Sequence, residues 1–184
     1  MSQQDPIHDS ELAKLRNQVA ELERRIEQDR MIFDQLPIMF WYKDARNMHL
    51  RVNRPAAALE GLPITAIEGK TAEELYPEEQ AARFLREDLE VIQSNQPKLG
   101  FIDRHVSPMG KTVWLRTGKL PTHDAQGKAN GVIAFAVDVT EEYELRASLT
   151  EGLTDLARKL KDRADAAATL PLVKVMLGKL ESKG

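Results

Sequence analysis

A chain of 184 residues with 42% hydrophobic and 30% charged residues has the composition of a soluble protein able to bury one modest core plus extensions. Its formal net charge of -3 argues against nucleic acid as a partner. Cysteine is absent, which removes disulfides, thiolate nucleophiles, cysteine-based zinc sites and covalent thiol photochemistry together.

In chain order, residues 1–9 read as disordered. No apolar run reaches the roughly 20 residues that span a bilayer, and the first residues lack the plan of a signal peptide, so a cytoplasmic location is expected and a membrane partner is not. Residues 10–36 follow a heptad. Leu12, Val19, Ile26 and Phe33 take one core position, and Leu15, Leu22, Asp29 and Leu36 take the other. β-Branched residues beside leucine favour a parallel two-stranded coil, so Leu12, Leu15, Val19, Leu22 and Ile26 are expected to hold a homodimer. The competing reading is a helix packed on its own domain. Asp29 loosens the seam before Pro37 ends the helix.

Met39–Lys43 and Met48–Val52 read as strands around a turn at Asp44–Asn47, with Met48, Leu50 and Val52 on one face. Asn53 sits where a helix N-cap belongs, with Pro55 in the first turn and Gly61 closing a short helix. Thr71 and Glu74 have capping-box spacing. A longer helix follows, with Ala81, Phe84, Leu85, Leu89 and Ile92 on one stripe. Three strands then alternate with turns at Ser107–Gly110 and Asp124–Gly127, and the last is rich in small and β-branched residues, as a central strand is. The order defines an α+β domain with a sheet covered by helices on one face. A helix returns over 141–166, with Leu145, Leu149, Leu153, Leu156 and Leu160 as its stripe, and a short amphipathic tail over 169–184 carries Leu172, Val173, Met176 and Leu180. The tail is expected to pack within the dimer; docking on a partner or on a membrane surface are the other readings.

Over residues 37–140 the chain resembles the PAS domain family. The resemblance rests on "YKD" and "LRVN" at Tyr42–Asp44 and Leu50–Asn53, on "GLPITAIEGKTAEELYP" at Gly61–Pro77, and on "WLRTGKLPTHDAQGKANGVIAFAVDVT" at Trp114–Thr140. In the last stretch Pro121, Asp124, Gly127, Asp138 and Thr140 match the family's closing pattern in order. Asn47 stands where the first turn often carries Gly, a position whose left-handed backbone Asn also tolerates. The resemblance implies a five-stranded antiparallel sheet, a role as sensor or dimerisation module in signalling, and flanking helices that carry the output. It also implies that Asp138 joins the sheet end to the exit helix, which Thr140 caps, so that Asp138 and Thr140 form a signal joint.

Catalysis is not expected. Glu141, Glu142 and Glu144 complement a helix dipole, the four histidines are scattered, and neither a P-loop nor a dinucleotide fingerprint occurs. No histidine lies beyond His123 to accept a kinase phosphate, and the diguanylate cyclase signature is missing. Haem is disfavoured, because family members take their axial His from the long helix, which has none here; His49 and His105 lie in strands and read as surface residues. Covalent flavin needs the missing cysteine. Non-covalent flavin or a small organic ligand stays open, in a space lined by Phe84, Leu85 and Leu89 and by one parity of Phe101, Trp114 and Phe135. A core filled without ligand is the alternative. The expected function is a homodimeric sensor or regulatory PAS module acting on a downstream signalling protein, as in two-component systems. The rivals are a ligand-free adaptor, and the input portion of a histidine kinase or diguanylate cyclase lacking its effector.

Overall fold

A computed structural model of the protein describes residues 6–161 and 169–181. Helix α1 (Pro6–Gln35) leads into β1 (Met39–Asp44) and β2 (His49–Val52). Four helices follow: α2 (Arg54–Glu60), α3 (Ile64–Ile67), α4 (Ala72–Leu75) and α5 (Glu78–Ser94). β3 (Lys98–Val106), β4 (Thr112–His123) and β5 (Ala129–Asp138) complete the sheet, and α6 (Thr140–Lys161) and α7 (Thr169–Glu181) follow it. All neighbouring strands are antiparallel, in the order β2-β1-β5-β4-β3, so β5 is central, as its small and β-branched residues predict. The α+β plan and its five-stranded sheet are as expected from sequence. At the ends there are differences. α1 already includes residues 6–9, where disorder was expected, and residues 1–5 lie outside the described residues, as do 162–168 and 182–184 at the two C-terminal helices.

The entry to the sheet is held by one side chain. Asn53 is fully buried, and its Oδ1 accepts from Ala56 N at 3.1 Å, capping α2, and from Phe40 N at 3.0 Å. Its Nδ2 donates to Ile38 O at 2.8 Å and to Phe33 O at 3.3 Å. The predicted cap therefore also ties α1 to β1. The β1–β2 turn closes as the sequence suggests: Asp44 Oδ1 accepts from Arg46 N and Met48 N, and Asn47 takes φ 64°. Gly61, at φ 69°, ends α2, and a Cβ there would meet Met109 Cγ at 2.8 Å.

Two expectations fail for tertiary reasons. β1 and β2 shift register between Tyr42 and Lys43, so Lys43 faces His49 instead of Leu50. His49 is thereby turned inward and Leu50 outward, which breaks the expected Met48–Leu50–Val52 face. α5 is also rotated from its predicted stripe. Its fully buried positions are Ala81, Asp88 and Val91, while Phe84, Leu85, Leu89 and Ile92 are half-buried. The rotation brings Asp88 onto the sheet.

The core joins Met39, Trp41, Val113, Leu115, Ala134 and Ala136 of the inner sheet face to Ala56, Leu59 and Ile67 of the helices. On the other face Phe135 lies over Gly118, where a Cβ would stand 2.3 Å from its ring. α1 leaves Leu12, Leu15, Val19, Leu22 and Ile26 exposed, from 37% to 62%. α7 lies against α6 of the same chain and buries Val173, with Leu153, Leu160, Leu177 and Leu180 half-buried; Leu172 and Met176, expected on the tail's packed stripe, are exposed. Among the described residues no helix is long and apolar enough to cross a membrane.

Candidate functional site

Between α4–α5 and the inner sheet face lies a cavity of about 50 Å³, lined by Trp41, Lys43, His49, Tyr76, Phe84, Asp103, His105, Leu115, Thr117, Lys119 and Ala134. Strand alternation explains the lining: Trp41 and Lys43 share one face of β1, and Leu115, Thr117 and Lys119 share one face of β4. Five rings stand in the wall. Phe84 and His105 lie near-parallel, 6.0 Å apart and 18° between planes, and Tyr76 meets both edge-on at 5.1 and 5.7 Å.

Lys43, Asp103 and Lys119 of the wall belong to a buried ionic cluster. Asp88 of α5 contacts Lys43 of β1 and, at 2.7 Å, Lys119 of β4, thereby straddling β5 between them. Lys119 also reaches Glu87 Oε2 at 2.9 Å, and Arg83 pairs with Asp103 and lies 3.5 Å from Glu87. Burial would raise the Asp88 carboxyl, but the charges of Lys43 and Lys119 outweigh it and hold the group below its ordinary range. For Lys43 burial dominates and pulls the ammonium down against Asp88, with Lys119 adding repulsion.

A second buried cluster centres on Glu60. Its Oε1 accepts from Tyr76 Oη at 2.8 Å, and its Oε2 lies 3.1 Å from His105 Nε2. Burial first, then the charge of Glu60 and the bond to it, push the Tyr76 phenol well up. His49 Nδ1 lies 2.8 Å from Lys70 O, and a carbonyl only accepts, so Nδ1 carries the proton. Burial, helped by Lys43, lowers His49 to about 4, so at neutral pH its Nε2 keeps an acceptor lone pair. The Trp41 indole Nε1–H is buried with no partner among the described residues.

Of the residues expected to line a pocket, only Phe84 does so. Leu85 and Leu89 sit beside the rotated face of α5. Phe101 shares the inner parity opposite Thr117 but lies outside the cavity, with Lys98 Nζ 5.4 Å from its ring. Trp114 and Phe135 have the outer parity. His49 and His105, read from sequence as surface residues, are instead 2% and 3% exposed and in the wall. For His105 a signal existed, since it shares strand parity with Asp103; for His49 the bulge hid it. The cavity is far below the about 300 Å³ at which pockets for drug-sized ligands begin, so neither haem nor a flavin ring system fits it. Among the described residues no group of three or more His, Asp or Glu is placed to hold a metal ion. An open groove of about 680 Å³ runs between α6 and α7, lined by residues such as Tyr143, Thr150 and Leu180.

Trp114 belongs to the exit. Its ring stacks on Tyr143 of α6 at 3.9 Å and 22°, its backbone N–H donates to Thr140 Oγ1 at 2.9 Å, and its backbone carbonyl accepts from Val139 N at 2.8 Å. The Thr140 hydroxyl donates to Asp138 Oδ1 at 2.6 Å, and the same oxygen accepts from Thr140 N at 2.9 Å. Asp138 is therefore exposed and paired, and it takes the first helical N–H, whereas the Thr140 side chain turns to β4 and does not cap the helix as expected. Arg116 and Glu142 add a contact at 3.0 Å. β4 thus lines the cavity with one face and grips α6 with the other.

Residues 33–144 match the family described as the PAS fold, and the chain belongs to that family. It is 27% identical over 144 residues to the methanogenesis regulatory histidine kinase FilI of Methanothrix harundinacea, a match covering 78% of this chain and 15% of the kinase. The structure resembles a Vibrio cholerae VqmA dimer solved in the absence of target DNA, at 30% identity and TM-score 0.56, over 64% of this chain and 52% of that one. It also resembles a VqmA bound to DPO, at 28% identity and TM-score 0.55, over 86% of this chain and 79% of that one. This chain therefore spans a small part of the kinase and about half of the first VqmA.

Proposed function

We propose that the protein is a homodimeric, cytoplasmic PAS sensor that acts by binding and not by catalysis. It holds a small organic molecule in the cavity between α5 and the sheet and passes occupancy through β4 to α6. The observation that carries this reading is the two-faced β4: Leu115, Thr117 and Lys119 line the cavity, while Trp114 and Arg116 on the opposite face hold Tyr143 and Glu142. A ligand that favours one arrangement of α5 on the sheet shifts β4 and with it the start of α6, a population shift read out by a downstream signalling protein. A VqmA with bound DPO supports a small-molecule ligand, and the FilI kinase supports a place in signalling. The acidic first turn of α6, with Glu141 and Glu142, favours a protein over DNA as the output partner. The exposed heptad of α1 supports the homodimer.

Mass spectrometry of the native protein, followed by denaturing extraction, tests the sensor. A stoichiometric small molecule is expected, together with slower hydrogen exchange across residues 140–146 in the loaded form than in the stripped one. An empty protein whose α6 exchange is unchanged by any member of a small-molecule set would leave the adaptor as the function.

A further inference from the structure

Resting on the cavity being the sensor site, the occupant is limited first by size. About 50 Å³ is about a third of the about 150 Å³ that admits benzene, so the space takes about two or three non-hydrogen atoms. Non-covalent contacts hold so small a guest no more tightly than about millimolar. A bond to the protein lifts that ceiling, and the wall carries a group able to make one reversibly.

Asp88 is a single carboxylate between two ammoniums, Lys43 and Lys119. Lys119 has Glu87 as a second partner, whereas the cluster gives Lys43 only Asp88. Burial, which outweighs Asp88, and the charge of Lys119 favour the free amine at Lys43, as in lysines that form Schiff bases. Trp41 stands two residues away on the same face of β1, in the same wall, and its buried Nε1–H has no partner among the described residues. A nucleophile and a donor for a carbonyl oxygen thus border one closed space.

The geometry points to a one- or two-carbon aldehyde, formaldehyde or acetaldehyde, held as a reversible imine on Lys43 Nζ. Asp88 takes a proton from the ammonium, and the Nζ lone pair forms a C–N bond to the carbonyl carbon. The π pair of the C=O bond moves to the oxygen, which Trp41 Nε1–H holds and which takes the proton back from Asp88. A second nitrogen proton follows the same route to the new hydroxyl. The nitrogen lone pair then closes the C=N bond as the oxygen leaves as water. Ammonium plus aldehyde has become iminium plus water with no change of charge, so Asp88 keeps a cationic N–H beside it and the ion cluster stays balanced. Ketones, with at least four non-hydrogen atoms, are too large.

The full chain is treated at pH 6.5 with acetaldehyde and sodium cyanoborohydride, which reduces an imine to a stable ethylamine, and ethylated lysines are located by peptide mass spectrometry. Ordinary lysines are almost wholly protonated at that pH. Lys43 is expected to be ethylated at least about tenfold faster than any other lysine. Trp41→Phe, which keeps the ring and removes the donor, is expected to slow this about fivefold, and acetone to leave Lys43 unmodified. Ethylation of Lys43 no faster than that of surface lysines overturns the proposal, as does equal modification by acetone. Two further measurements separate this failure from failure of the sensor reading. An unmodified Lys43 in a protein that releases another small molecule on extraction overturns the aldehyde alone, and one that releases nothing overturns both. A modified Lys43 with unchanged hydrogen exchange over residues 140–146 keeps the reactive lysine and removes the sensor.

Discussion

His49 illustrates how one residue's role depends on a backbone irregularity. The register shift after Tyr42 places it opposite Lys43, buried, with Nδ1–H on Lys70 O. Its pKa falls from 6.5 to about 4 in the folded protein, first through burial and then through Lys43. Between those values the unfolded chain binds more protons than the native one, so stability falls as pH is lowered through this window. The full shift corresponds to about 3 kcal/mol. Asp88 acts in a lower window, because a carboxyl held below its ordinary range withdraws its stabilisation only as pH falls below about 4. Urea unfolding at pH 6.5 and pH 4.5 is therefore expected to show a marked loss in the parent protein and a much smaller one in His49→Gln. An equal loss in both would assign the acid sensitivity to another group.

For an element, the informative case is α5. Beside the buried Ala81 and Val91 it sets against the sheet Asp88, whose carboxylate meets lysines from two strands that are not neighbours. Removing one partner of such a buried cluster strands the others. Asp88→Asn is expected to destabilise the protein by about 3 kcal/mol in chemical denaturation. The triple variant Lys43→Met, Asp88→Leu, Lys119→Met is expected to recover most of that loss, since apolar replacement of a buried ion triad is near neutral and Glu87 keeps Arg83 as its partner. A triple variant as unstable as the single one would show that the cluster is not a unit. The same helix marks the limit of what the sequence reveals. Turns and caps were legible because their causes are local, as at Asp44, Asn53 and Gly61. The hairpins β1–β2, β3–β4 and β4–β5 follow from the turns between their strands, whereas the β1–β5 pairing that joins them has no local signal. The cavity lining was largely hidden, because a stripe count assigns Leu85 and Leu89 to the core and Asp88 to solvent. The lysines that reverse this lie 45 and 31 positions away, from Asp88 to Lys43 and Lys119 respectively. Trp114 and Phe135 were aromatic and on strands, but only the strand pairing shows that they face outward.

In the molecule as a whole, apolar surface is concentrated on the helices outside the sheet. Leu15, Val19, Leu22 and Ile26 line one exposed side of α1, while Arg24 and Arg25 pair with Glu21 of the same helix. The double variant Leu22→Asp, Ile26→Asp is expected to lower the dimer fraction in sedimentation with the circular dichroism of the sheet unchanged. A dimer that persists would place the interface on the sheet domain instead. α1 and α6 are also close where they meet that domain, because Met39 at the start of β1 pairs with Ala136 near the end of β5. The chain leaves the sheet where it entered. The domain is thus entered and left at the same end of the β1–β5 pair, so a displacement there reaches α1 and α6 together.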